Sequence, residues 1–315
     1  MRSRLLVAGA FALGVACARP ADRAASVAPA DPAAACASCH AAETRSWEAS
    51  AHHRAASDPL YVDAVAIEPL PFCRGCHAPS ADPRRPTPPA AVAQGIGCID
   101  CHTDARAHAS RPAVHASTRP CASCHEFPFP DGTPGMQRTA SEHDASEHAR
   151  TTCVTCHMPG KDHGFAVTDT MIRGALVADI ASARPGAVAL RLQPGRVGHA
   201  FPTGDLFRRV VVEADLVDEH GTVQASRRRD LARTLDHGQA HEGADERIGA
   251  DLAPCFELDF APVRDIARPS IHLTLTYERV AHPIGPRPEQ ALVDSRVLLL
   301  ETDVADRGPA RPCAR

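Results

Sequence analysis

The chain has 315 residues, a formal net charge of −4 and only 4% aromatic residues. That balance gives no ground for a nucleic-acid partner, since the densest basic run is Arg227 to Arg229, which reads as a solvated face. Thirteen cysteines and 18 histidines are the residues in which the chemistry has to be sought.

Residues 1–18 carry Arg2 and Arg4 and then an apolar run from Leu5 to Ala16. The run is too short to span a bilayer and reads as an export signal. Two cleavage readings stay open. Ala16-Cys17-Ala18 suits an ordinary signal peptidase, whereas Gly14-Val15-Ala16-Cys17 is an imperfect lipoprotein box that would leave Cys17 lipidated and the chain attached to a membrane. Both place the protein outside the cytoplasm, in the periplasm or anchored and facing the periplasm or the cell exterior. Residues 19–35, rich in Ala and Pro, read as a flexible linker.

From residue 36 the pattern Cys-x-x-Cys-His recurs five times: Cys36/Cys39/His40, Cys73/Cys76/His77, Cys98/Cys101/His102, Cys121/Cys124/His125 and Cys153/Cys156/His157. Two cysteines three apart each add across one vinyl group of a haem. The histidine that follows lies beneath the macrocycle, where its imidazole binds iron. Zinc knuckles and disulfides also use paired cysteines, but neither needs a histidine after every pair. The expectation is five covalently attached haems c in a domain over residues 36–170. With so few large apolar residues between the motifs, that domain has to take its apolar surface from the porphyrins.

Each iron has a second face. Seven histidines lie outside the motifs in this region: His52, His53, His108, His115, His143, His148 and His163. A histidine on the second face gives a closed, low-spin electron carrier, and an empty face gives a site for a small molecule. His53 and one of the pair His143/His148 read as solvated.

Cys36-Ala-Ser-Cys39-His40 with Trp47-Glu-Ala-Ser50-Ala-His52, Gly95-Ile-Gly-Cys98-Ile-Asp-Cys101-His102, and Cys153-Val-Thr-Cys156-His157-Met158-Pro159 together resemble the multihaem c-type cytochrome family of the cytochrome c-554 kind. The resemblance spans about residues 36–165. It implies distal ligation by His52, by His108 after the third motif and by His163 after the fifth. The chain departs from that family in having five motifs instead of four, and in carrying His143 where relatives often have an aromatic.

After His163 the pattern alternates with period two. Val188/Leu190/Leu192, Val210/Val212/Ala214/Leu216, Phe256/Leu258/Phe260 and Ile271/Leu273/Leu275/Tyr277 each share a face, and Val297 to Leu300 reads as a buried strand. Asp218 to Gly221 reads as a hairpin turn. These runs predict an antiparallel β-sandwich over residues 175–305, with a tail at 306–315, so the fold class is α+β. Gly198-His199-Ala200-Phe201-Pro202-Thr203-Gly204 is a shaped loop that resembles a segment following the haem region in related multihaem cytochromes. It brings His199 into the distal set beside His52, His108, His163 and His115, with His148 in reserve. Cys255 and Cys313 remain, either as a disulfide or as two unrelated thiols.

The sequence therefore points to an exported pentahaem carrier with bis-histidine irons, exchanging electrons with redox protein partners. The alternative is an oxidoreductase acting on a small nitrogen or sulfur compound at one open iron.

Overall fold

A computed structural model describes residues 36–67, 69–102, 119–129, 135–165, 167–184, 186–204, 207–236, 241–249, 254–260, 266, 269–281, 290–304 and 313. The export signal, Cys17, the linker, His108 and His115 lie outside the described residues. The first part of the chain is a run of short helices: α1 (Ala41–Glu48), α2 (Pro59–Ile67), α3 (Pro71–His77), α4 (Pro89–Gln94), α5 (Cys98–Cys101), α6 (Arg119–His125), α7 (Thr139–Asp144), α8 (Cys153–His157) and α9 (Asp169–Gly174). A two-residue hairpin, β1 (Glu126–Phe127) with β2 (Gln137–Arg138), separates α6 from α7. Prolines at the starts of α3 and α4 preset the helical φ where no amide donor is needed.

This region closes almost no core by itself. Ala56, Ala78 and Ala91 form one small cluster with Tyr61 against it, and α2 buries no residue although its sequence, PLYVDAVAI, is apolar except for Tyr61 and Asp63. That is the expected texture of a segment whose apolar contacts are to be made with a prosthetic group.

The second part consists of two antiparallel sheets. One is ordered β3 (Leu176–Arg184), β4 (Ala187–Pro194), β8 (Cys255–Asp259). The other is ordered β10 (Val293–Val304), β9 (Ser270–Val280), β5 (Arg208–Val217), β6 (Val223–Asp236), β7 (His241–Asp245). Val188, Leu190 and Leu192 on β4, Val210, Val212 and Leu216 on β5, and Leu273 and Leu275 on β9 are at most 1% exposed and share one core. The period-two faces read from the sequence are these inward faces. The turn at Asp218 to Gly221 joins β5 to β6; Gly221 has φ +78°, and the Asp218 carboxylate accepts the amides of His220 and Thr222.

Two expectations need correcting. Val297 to Leu300 is not a buried strand: β10 lies at the sheet edge, and Leu298 is 44% exposed. The Arg227–Arg229 run is not simply solvated. Arg227 and Arg229 lie over the rings of Phe260 and Phe256, and Arg228 bridges Glu213 and Asp230. Cys255 and Cys313 form a disulfide that ties the C-terminal end to β8.

The sheets are fastened to the helical region by polar contacts. Arg233, 2% exposed, donates to the carbonyls of Gly135 and Met136, Arg279 pairs with Asp58 at 3.1 Å, and Arg138 pairs with Asp245. Ile172 of α9 enters the sandwich core, so the connection is also apolar. Among the described residues, no helix is long and apolar enough to cross a membrane.

Candidate haem-binding site

Each attachment motif occupies one helical turn. A turn puts residues i and i+3 on one face, so the two thiols of a motif point together and the histidine closes the helix. His40 N–H donates to Cys36 O at 2.9 Å, and His102 N–H donates to Cys98 O at 2.8 Å. Among the described residues no group of three or more His, Cys, Asp or Glu side chains is placed to hold a metal ion.

The two sequence segments that precede the third site pack on each other. Trp47 Nε1 donates to Ile96 O at 2.8 Å, and Ile96 N–H donates to His52 O at 2.9 Å. Gly95 holds φ +59°, ψ −126°, and a Cβ on it would fall 2.3 Å from His53 O and 2.5 Å from His52 O. The Gly-Ile-Gly run thus serves the backbone that presents His52, and glycine is required there because any side chain would strike that backbone.

Three pairs of imidazoles, each joining a motif histidine to one from elsewhere in the chain, lie near one another. His52 and His125 have ring centroids 6.3 Å apart, His102 and His163 6.2 Å, and His157 and His199 6.3 Å. Ring nitrogens at about 2 Å from a metal ion between them put two imidazole centroids roughly 6 Å apart. The spacing fits a haem iron between the members of each pair. His52 Nδ1 is buried without a hydrogen-bond partner, an orphaned atom of the kind a missing ligand leaves.

The ring tautomers are compatible with ligation. Nδ1 of His77 meets Ala55 O at 2.6 Å, Nδ1 of His163 meets Lys161 O at 2.8 Å, and Nδ1 of His199 meets Ala200 O at 3.1 Å. Donation from Nδ1 to a carbonyl leaves Nε2 with a free lone pair for a metal. At His125 the partner is the Gln137 amide nitrogen, 2.9 Å from Nδ1; only with that amide turned over, its oxygen accepting from Nδ1, would it do the same. Burial is the largest cause holding His52, His157 and His199 below the ordinary imidazole value, and it pushes His125 down to about 4. Neutral imidazole is the ligating form.

The sulfurs of different motifs also meet. Cys36 contacts Cys98, Cys76 contacts Cys124, and Cys121 contacts Cys153; Cys101 lies close enough to Cys124 and Cys121 to influence both. The five attachment sites are therefore adjacent, although their motifs are separated in sequence.

Of the histidines expected to be solvated, His53 is not: its ring stands 4.3 Å from Trp47 and its Nδ1 is buried. His143 is buried at 7% exposure, which leaves half-exposed His148 as the solvated member of its pair; His148 faces no motif histidine among the described contacts. Three contributors escaped the sequence reading. Tyr61 stacks on His77 with centroids 4.0 Å apart and planes 7° apart. Phe165 presents its edge between His52 and His163. Gln137 meets His125. No motif singles these out, because none of the three belongs to an attachment motif. Glu142 accepts the Ala200 amide of the His199 loop.

Residues 35–103 match the family described as Cytochrome c554 and c-prime. The chain shares its fold with the penta-heme cytochrome c552 from Thermochromatium tepidum, with a TM-score of 0.66 at 21% identity, covering 86% of this chain and 97% of that one. MtrC from Shewanella baltica OS185 aligns at 14% identity over 78% of this chain and 43% of that chain, with a TM-score of 0.22. No curated protein sequence matches the chain. The α+β fold is shared with that penta-heme cytochrome c552, and the matched residues 35–103 contain the first three Cys-x-x-Cys-His motifs, in agreement with the resemblance carried by the motifs.

Proposed function

We propose that this chain is an exported pentahaem c-type cytochrome that passes electrons between redox proteins. The observation that carries the reading is the set of three histidine pairs at 6.2–6.3 Å, each pairing a motif histidine with one from elsewhere in the chain. Haem supplies one-electron exchange at iron when it is attached. What the chain supplies is attachment, ligation and enclosure.

In this reading Cys36, Cys39, Cys73, Cys76, Cys98, Cys101, Cys121, Cys124, Cys153 and Cys156 form the thioethers, and His40, His77, His102, His125 and His157 are proximal ligands. His52 serves the fourth site, His163 the third and His199 the fifth. His108 and His115 are the members of the distal set left for the first and second sites. A second imidazole closes an iron to small molecules and keeps it low-spin, which suits a carrier. Sulfur contacts link the first site to the third and the fourth to both the second and the fifth, and the third lies close to the fourth through Cys101. Cys39 of the first site and Cys156 of the fifth are exposed, so those two sites are where partners would exchange electrons. The acidic balance favours basic patches on those partners. Export follows from residues 1–18, and a lipidated Cys17 would hold the carrier at a membrane.

The test is a low-temperature electron paramagnetic resonance spectrum of the oxidised holoprotein, with haem counted by pyridine haemochrome. Five haems per chain and low-spin signals alone are expected. A high-spin ferric signal that shifts on adding nitrite or hydroxylamine would overturn the carrier reading in favour of an enzyme, and fewer than five haems would refute the attachment assignment.

A further inference from the structure

The Gly198–Gly204 loop is held from two sides. On one side stands α7. Its Glu142 Oε2 accepts the Ala200 amide at 3.2 Å, its Thr139 hydroxyl meets that of Thr203 at 2.9 Å, and His143 packs so close under Gly198 that a Cβ there would lie 3.0 Å from His143 Cδ2. On the other side is the segment after β7. Phe201 and Ile248 exchange backbone hydrogen bonds at 2.6 and 2.8 Å, and Arg247 donates to Pro202 O at 3.4 Å. One ion pair joins the two sides: Arg247, 4% exposed, donates to Glu142, while Asp245 holds the rest of the guanidinium at 2.8–2.9 Å. The ion pair touches the loop on both sides of His199's neighbours, Glu142 at the Ala200 amide and Arg247 at Pro202 O, while Phe201 is held by Ile248 and by the sandwich core.

We infer that Glu142 and Arg247 are positioning residues for His199, and that their ion pair decides whether the fifth attachment site is closed. The inference rests on the reading of His199 as a distal ligand and goes beyond it by naming what keeps the ligand in place. His199 itself lines a cavity of about 770 Å³, together with Arg138, Ser141, Glu142, Gln193 and Val197. A loop released by Glu142 therefore has room to take the imidazole away from His157 without unfolding the sandwich. The hold also joins two sites. Glu126, next to His125, accepts the amides of Ala140 and Ser141 at the start of α7 at 3.0 Å, so the helix that grips the His199 loop is anchored beside the fourth motif.

The test compares the full-length holoprotein with E142Q, R247M and H199A by electron paramagnetic resonance and by titration with imidazole, after confirming equal haem content. R247K, which keeps the charge and loses the guanidinium fork, is a milder variant that retains the haems should R247M lose them. E142Q and R247M are expected to show a high-spin fraction from one haem and to bind imidazole about 10-fold or more tightly, the size of effect expected when a charge-assisted hydrogen bond is removed. H199A is expected to show the full high-spin signal. Low-spin spectra and wild-type imidazole affinity in E142Q and in the Arg247 variants, beside an altered H199A, would overturn the inference. An H199A spectrum identical with wild type would instead overturn the assignment of His199.

Discussion

Gly95→Ala is the most economical probe of the link between backbone packing and ligation. The added Cβ would sit 2.3 Å from His53 O and 2.5 Å from His52 O. Ordinary contact begins near 3.4 Å, so the carbonyls that bracket His52 have to retreat by about 1 Å. The backbone at φ +59°, ψ −126° adds a strain of about 1–3 kcal/mol for any residue with a side chain. A retreat of that size displaces His52 relative to His125, now 6.3 Å distant, and an iron–nitrogen bond of about 2 Å does not tolerate a shift of that size. The Ile96–His52 and Trp47–Ile96 hydrogen bonds fail together with it. The expected outcome is a holoprotein in which one haem, at the fourth site, becomes high-spin while the others stay low-spin, read by electron paramagnetic resonance and by the Soret band. A G95A protein with an unchanged low-spin spectrum and unchanged thermal unfolding would refute the reasoning, because it would show that the His52 loop is not held by its contact with Gly95.

Three further outcomes are expected. Replacing Cys255 and Cys313 by Ser removes a cross-link between residues 58 apart and lowers stability by about 2–4 kcal/mol in calorimetry, while haem spectra stay unchanged because the bridge is confined to the sandwich. Arg233→Met leaves the carbonyls of Gly135 and Met136 without their buried donor and costs about 2–4 kcal/mol, visible as a lowered Tm and faster proteolysis near residue 135; no change in either would remove Arg233 from the docking contacts. The Asp303 carboxylate, 2.9 Å from His272 Nδ1, raises that imidazole above its ordinary value, with Glu301 adding to it. Because the folded value is raised, this contribution to the β9–β10 edge is complete below the ordinary imidazole pKa and is lost as pH rises through the raised one. An NMR titration of His272 should show the elevated midpoint, and D303N should return it toward normal.

The sandwich was legible because burial follows a local rule. Val188, Leu190 and Leu192 alternate, and a strand sends alternate side chains to one face. Where the rule fails, topology is the reason. Val297 to Leu300 is apolar enough for a central strand, but its place at the sheet edge follows from strand order, which no window of residues contains. Arg227 and Arg229 look like surface charge in sequence, yet the β6 register and the facing sheet put aromatic rings under them. His53 sits beside His52 in sequence and reads as redundant, but the turn after α1 directs its ring onto Trp47.

By itself the sequence determined the candidate attachment positions, because thioether formation needs two thiols and an imidazole within one helical turn, all within five consecutive residues. It also determined that the helical region would lack a core of its own and that a sandwich would follow. Only the tertiary structure decided which histidine faces which motif: His52 opposite His125, His163 opposite His102, His199 opposite His157. A ligand pair needs two rings about 6 Å apart from segments that meet only in the folded chain. The segments that bring these rings together are contacted by Gly95, Gln137, Glu142 and Arg247, residues whose types carry no haem signature.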